Sequence, residues 1–262
     1  KKLGGSILMG CKVVNIHKTM DGQLDGLTYV QGGKGGEIKG DIIISSMPLR
    51  DLVVGMNDVP ENELRIARGL PYRDYMTVGV LIHKLALENN GNQNHRDIVP
   101  DCWIYVHERK VRMGRLQIYN NWSPYMVSDY KNTVWLGLEY FVQEGDELWR
   151  MGDEEFSAMA VREMVLIGLI KSADEVMDTH VERVRKAYPA YFDTYSEIDT
   201  LIEYLKAIPN LYCVGRNGQH RYNNIDHSMC TSFEAVKNIK SEANDKSNIW
   251  EVNTEKEYHE AK

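Results

Sequence analysis

Four segments, 75–81, 103–106, 115–119 and 133–140, are rich in β-branched and aromatic residues, with polar stretches between them. Such residues suit a pleated, half-buried surface, so the pattern predicts the strands of an antiparallel sheet. A polar loop, Glu88 to Asp97, separates the first two. The period then changes. Phe156, Met159, Ala160, Met164 and Ile167 recur at helical spacing, which predicts a helix over 153–171, capped by Asp153 and burying those five side chains. A strand or short connection follows at 181–188 and a second helix at 196–207. At the front of the chain, 7–17, 27–30 and 37–46 read as three consecutive strands. Gly32-Gly33-Lys34-Gly35-Gly36 lies between the last two and reads as a hairpin or loop tip.

The stretch from Leu211 to Met229 changes the picture most. Leu211 to Val214 is an apolar run of strand type, and Gly215 and Gly218 loosen the backbone directly after it. Met229, Cys230, Phe233 and Val236 recur at helical spacing, so a helix is expected to start near Asn224 or Asp226. The free N–H groups and the positive dipole end at such a start suit a negatively charged group. Arg216 and Arg221 flank it, and Tyr222 adds a flat ring. The arrangement suits a phosphate-bearing, redox-active ring system. The alternative is a surface connection with two solvated arginines.

Composition narrows the function classes. The 262 residues carry a formal net charge of -7 and a pI near 5.7, with no Lys/Arg cluster to track a phosphate backbone, so no nucleic-acid partner is expected. Cys11, Cys102, Cys213 and Cys230 are isolated, which points to buried thiols rather than disulfides or zinc ligands. The longest apolar run, 164–170, is too short to span a bilayer. These features predict a soluble, cytoplasmic protein acting on a small molecule. His220 and His227 lie seven apart without convergent donors, so no metal site is expected. No nucleophile motif, phosphate-cradling loop or carboxylate pair stands out, which fits a protein whose cofactor performs the chemistry. The tail 244–262 is polar and is expected to be a solvated helix or partly frayed.

Gly215-Arg216 followed by Arg221-Tyr222-Asn-Asn-Ile-Asp226 resembles the C-terminal flavin-binding signature of UDP-galactopyranose mutases. The upstream order is similar too: Tyr188-Pro189, a Tyr-rich helical spacer, then the strand and Gly-Arg. Leu70-Pro-Tyr-Arg73 resembles that family's Tyr-Arg segment facing flavin and substrate diphosphate. The wider FAD-dependent amine oxidase and protoporphyrinogen oxidase superfamily shares the architecture. The resemblance covers about 26–240 and is most specific over 188–236. It implies FAD as cofactor and an α/β (α+β) fold: the remnant of a Rossmann-like FAD-binding domain plus an antiparallel-sheet and helix substrate domain. The expected boundaries are 1–56 for strands completing the FAD domain, 57–208 for the substrate domain, 209–243 for a returning strand–helix, and 244–262 for the tail.

The resemblance also assigns residues. Val13 would lie near the adenine, and Gly215, Arg216, Asn224, Ile225, Asp226 and His227 would hold the flavin. Arg73, Tyr188 and Tyr222 would contact a substrate diphosphate. Arg115 is a further candidate for an anionic substrate. In Asn120-Asn121-Trp122-Ser123-Pro124-Tyr125, Trp122 and the amides could form a sugar-recognition face, or else ordinary turn chemistry around a core plug. The chain departs from the mutases at Asn224, where they usually place an acid, and at Ile225, where they place a methionine. It also has no Gly-x-Gly-x-x-Gly turn to hold an FAD pyrophosphate, so the expectation is the C-terminal part of a longer protein. Three function classes follow: a flavin-dependent sugar-nucleotide mutase, an amine oxidase-type oxidoreductase, or a non-catalytic binding domain.

Overall fold

The computed structural model describes residues 3–87 and 98–252; the expected polar loop at 88–97 and the end of the tail lie outside them. The chain opens with strands β1 (Cys11–Lys18), β2 (Leu24–Gln31), β3 (Lys34–Lys39) and β4 (Ile43–Ser45), followed by helices α1 (Leu49–Val54) and α2 (Glu61–Gly69). Next come β5 (Tyr72–Ile82), β6 (Trp103–Tyr105), β7 (Arg115–Ile118), α3 (Tyr119–Trp122), β8 (Val134–Val142), α4 (Glu147–Arg150), α5 (Asp153–Leu166) and β9 (Val176–Pro189). The last elements are α6 (Ile198–Lys206), β10 (Leu211–Cys213), α7 (Gly215–Gly218), α8 (Ile225–Ser241) and α9 (Ser247–Trp250). This is the mixed α/β class that the resemblance implies. The chain divides into two compact units, 1–72 with 188–262, and 73–187. The boundaries therefore fall inside the 57–208 block expected as one domain.

In the first unit, β1, β2 and β3 form an antiparallel meander. Gln31 pairs with Lys34, and the two-residue turn between them has Gly32 and Gly33 at φ 54° and 81°, the left-handed pair a tight hairpin needs. The single strand expected over 37–46 is two strands in different sheets. β3 stays in the meander, whereas β4 pairs in parallel with β10, Ile43 to Leu211 and Ser45 to Cys213. Helices α1 and α2, which the apolar pattern did not signal, bury Leu49, Leu52, Val53, Ile66 and Ala67 in a core shared with Leu201, Leu205 and Leu211. The 57–72 and 188–208 segments join this unit because those side chains pack there. The tail also departs from expectation. Lys246 is buried, and its Nζ donates to the carbonyl oxygens of Ile208 (2.5 Å) and Leu211 (2.9 Å). Ile249 and Trp250 of α9 are buried beside it.

The second unit is a five-stranded sheet in the order β6-β7-β8-β5-β9. Its inner face takes every second residue: Met76, Val78, Val80 and Ile82 from β5, and Leu136, Leu138 and Tyr140 from β8, as a half-buried strand requires. Phe156, Ala160 and Met164 of α5 pack on that face, with the Tyr140 and Phe156 rings edge to face at 4.9 Å. The helix stops at Leu166 rather than 171, and Leu169 and Ile170 enter the core from the turn beyond it. Gly152, not Asp153, is the cap; Asp153 occupies the first helical position and pairs with Arg183 at 2.5 Å. Glu163 is a buried carboxylate that accepts from the backbone N–H groups of Arg112 (2.7 Å) and Met113 (3.1 Å) and from the Tyr140 hydroxyl (3.0 Å). β9 is longer than the 181–188 segment that reads as extended, because its outer residues are polar and exposed.

Candidate functional site

The first unit assembles the loop after β10 from within. Val214 N–H donates to the Ser45 carbonyl (2.9 Å), extending the parallel pairing by one bond. Gly215 then turns at φ 75°, a left-handed conformation that favours glycine. Its N–H donates to Thr231 Oγ1 at 2.9 Å, tying the end of β10 to α8. Gly218 comes so close to β4 that a Cβ there would lie 2.6 Å from the Ser45 carbonyl oxygen.

Arg216 projects from this loop. Its Nε and Nη2 both donate to the Asn223 carbonyl, at 2.9 and 2.7 Å. Its guanidinium lies over two tyrosine rings, 5.2 Å from the centroid of Tyr188 and 4.8 Å from that of Tyr222. Those rings are near parallel to each other, 5.9 Å apart at 24°. Residues 34 positions apart in the sequence thus form one cation–π cluster, which fixes the Arg216 charge. Tyr222 is held from below as well, its N–H donating to the Tyr191 hydroxyl at 2.5 Å.

Helix α8 begins at Ile225 with Asn224 as its cap. The His227 ring reaches back to accept from the Asn224 N–H through Nδ1 at 3.3 Å, closing a capping box. His227 is therefore an acceptor toward its own helix, the capping role that is the alternative to a flavin contact at a helix start. Asp226 lies in the first turn, 3.4 Å from His227 Nδ1, and already supplies a negative charge at the positive end of the dipole. Asn224, Ile225 and Asp226 are exposed. The apolar stripe that marks the helix is turned outward: Phe233 is 63% exposed, Met229 and Val236 are also exposed, and so is Ile225 at 80%. The helix packs through Thr231, Ala235 and Asn238 instead.

Among the described residues, the buried polar atoms without a protein partner at this end of the unit include Asn223 Nδ2, Ser45 Oγ and Gln219 Oε1. Asn223 is otherwise engaged, its Oδ1 accepting from Ser228 Oγ at 3.0 Å. A buried donor left without an acceptor costs about 1–3 kcal/mol unless a water or a ligand atom meets it. Beside the loop, His220 is fully buried, its Nε2–H donating to the Ala190 carbonyl at 3.1 Å, while Nδ1 has no partner. Burial lowers its pKa to about 4. Tyr72 meets the ring edge-on at 4.7 Å.

Gly215, Arg216, Asn224, Ile225, Asp226, His227, Tyr188 and Tyr222 thus gather in the first unit. Val13 is in the same unit, on β1, half-buried against its core. Arg73, Arg115 and Trp122 belong to the second unit. Arg73 opens β5. Arg115 is not available to an anionic substrate. It is buried, with Nη2 and Nε at 2.5 and 2.7 Å from Glu139 Oε2, and its guanidinium lies between Trp103 (4.6 Å) and Phe141 (4.8 Å). Asn120 and Asn121 do not offer amides to a ligand. Asn120 bridges the Thr133 carbonyl and the Trp135 N–H, and Asn121 donates to the carbonyls of Val99 and Asp101. Sequence reasoning missed Asn223, Ser45 and His220; Asn223 lay inside the singled-out motif, whereas Ser45 enters only through the β4–β10 pairing.

No protein-family model matches the chain, and no curated protein matches it. Solved structures do. Reduced UDP-galactopyranose mutase superposes with a TM-score of 0.71 at 19% identity, over 97% of this chain and 52% of that one. The fold is that of UDP-galactopyranose mutase. A putative protoporphyrinogen oxidase from Exiguobacterium sp. 255-15 matches with a TM-score of 0.53 at 14% identity, over 87% of this chain and 46% of its own. A variant of putrescine oxidase gives 0.60 at 11% identity, over 92% and 51%. The chain spans about half the length of the structures it matches. The shared fold covers the β10–α8 region as well as the sheet.

Proposed function

We propose that this chain supplies the flavin-facing and substrate-facing part of an FAD-dependent enzyme acting on a nucleotide sugar, in the manner of UDP-galactopyranose mutase. The observation that carries the reading is the pair of buried, unpartnered polar atoms, Asn223 Nδ2 and Ser45 Oγ, beside the Gly215–Gly218 loop. Both can donate a hydrogen bond, as the carbonyl and ring-nitrogen acceptors of a flavin would require. A bound flavin would supply a nucleophilic ring when reduced, or a hydride acceptor when oxidised. The residues do the rest. Asn223 and Ser45 would orient the ring, and Gly218 keeps the backbone close behind it. Arg216, fixed by the Tyr188 and Tyr222 rings, would hold positive charge beside it. Preorganised donors of this kind are effective because they need no reorganisation when charge develops. Asp226 at the helix start disfavours a phosphate there.

The similarity to putrescine oxidase supports a second reading, an oxidoreductase of the amine oxidase type. Substrate affinity separates the two. Titrating UDP, UDP-galactose and putrescine into the chain in the presence of FAD is expected to give a nucleotide response that Tyr222→Phe weakens without changing flavin affinity. A putrescine response with none to UDP would overturn the nucleotide-sugar reading in favour of the oxidase.

A further inference from the structure

The tail that follows α8 grips the loop after β10. Residues 219–222 run between two walls of the first unit, and successive residues are held by opposite ones. Gln219 Nε2 donates to the Ile249 carbonyl at 2.9 Å and Arg221 Nη1 to the Trp250 carbonyl at 2.7 Å. His220 and the Tyr222 N–H turn the other way, to the Ala190 carbonyl and the Tyr191 hydroxyl. The two tail carbonyls close the last turn of α9, where a helix has no partner of its own for them. Gln219, His220 and Arg221 are buried, so each bond lost would leave polar atoms unmatched. His220 also sits at φ 49°, a left-handed conformation that persists at such a residue only when its surroundings impose it.

The tail is anchored on two further sides. The Asn210 carbonyl and the Val214 N–H both bond to β4, so the Leu211 carbonyl between them faces the opposite edge of β10. Lys246 meets it there, reaching from the tail through the 2.9 Å bond given above. Its ammonium also lies 4.8 Å from the Tyr212 ring centroid. On α8, Asn238 and Asn248 exchange amide bonds at 2.8 and 3.0 Å, and Asn238 Nδ2 donates to the Asp245 carbonyl at 3.1 Å. The tail thus ties the free edge of β10 and the flank of α8 to the two side chains that precede Asn223.

We propose that residues 245–250 are a strap that holds the loop in its ligand-binding shape, with Lys246, Gln219 and Arg221 as positioning residues acting through Asn223. The effect on affinity rests on the flavin reading; the effect on loop shape does not. Apparent affinity scales with the fraction of molecules in the binding shape, so a released loop that keeps it for about a tenth of the time binds about tenfold more weakly. The test measures amide hydrogen exchange over 215–224 and FAD fluorescence titrations on the native chain, Lys246→Met and Ile66→Ala. Methionine fills the buried space of Lys246 without its donors. Ile66 lies in the core of the same unit and reports general destabilisation. Lys246→Met, its fold checked by circular dichroism, is expected to speed loop exchange and to weaken FAD, each roughly tenfold, and Ile66→Ala to do neither. Should Lys246→Met not fold, Gln219→Met, which cuts only the bond to Ile249, carries the same comparison. Unchanged loop exchange in the folded variant, an equal rise in Ile66→Ala, or faster exchange with unchanged FAD affinity would overturn the strap. Absence of FAD binding by the native chain would overturn the flavin reading instead, because the exchange comparison needs no ligand.

Discussion

Acidification should unfold the first unit through His220. The folded ring donates Nε2–H to the Ala190 carbonyl and leaves Nδ1 buried without a partner. A proton added at Nδ1 would create a buried charge with nothing to accept from it, which is why burial takes the pKa from 6.5 to about 4. The folded value is depressed, so below pH 6.5 the unfolded chain takes up the proton first and is stabilised by it. Stability is therefore held above that pH and lost as pH falls toward 4. The full difference corresponds to about 3 kcal/mol at 1.36 kcal/mol per pH unit, of which about 2 kcal/mol is lost between pH 7 and pH 5. The assay is urea denaturation at both pH values, for the native chain and for His220→Gln, whose amide can still reach Ala190. His220 sits at φ 49°, so glutamine adds backbone strain, but equally at both pH values. The native midpoint should fall by about 1 M urea more than that of the variant on acidification. Equal falls would refute the reasoning.

Two further outcomes follow from the packing. Arg115→Met should cost about 3–5 kcal/mol in thermal denaturation, because Glu139 stays buried without its cation, and pairing it with Glu139→Leu should restore much of the loss; a cost below about 1 kcal/mol would make Arg115 a solvated, ligand-ready side chain after all. Gly218→Ala should destabilise the chain by more than about 1 kcal/mol, since its methyl meets the Ser45 carbonyl, and a neutral substitution would show that the loop is not pressed against β4.

Strands were legible where one face is buried and the other is not. The β-branched and aromatic runs over 75–81 and 133–140 become β5 and β8, where register and core impose a period of two on adjacent strands. The Leu211–Val214 run and the helix near Asn224 were legible for a similar reason, glycines and a capping asparagine marking the passage between them. Other features depend on partners far along the chain. Nothing near Arg115 announces Glu139, which reaches it only through the β7–β8 pairing. Nothing near Lys246 announces the carbonyls of Ile208 and Leu211. The 37–46 run carries no sign that β4 leaves the meander for β10. The apolar spacing of Met229, Phe233 and Val236 marks the helix but not its buried face, since the helix packs through small and polar side chains. Within the motif, periodicity and charge drew attention to Arg216 and Tyr222, while the unpartnered amide of Asn223 appears only once burial is known.

The central claim, that the loop after β10 and the start of α8 hold a flavin, is tested most directly by FAD fluorescence titrations of the chain and of Asn223→Asp. The substitution preserves size and the acceptor for Ser228 but replaces the buried Nδ2 donor with an oxygen. The account predicts weak but saturable FAD binding to the native chain, weakened at least about tenfold by the substitution with the fold unchanged by circular dichroism. Equal affinity of the two proteins, or no saturable binding to the native chain, would contradict it.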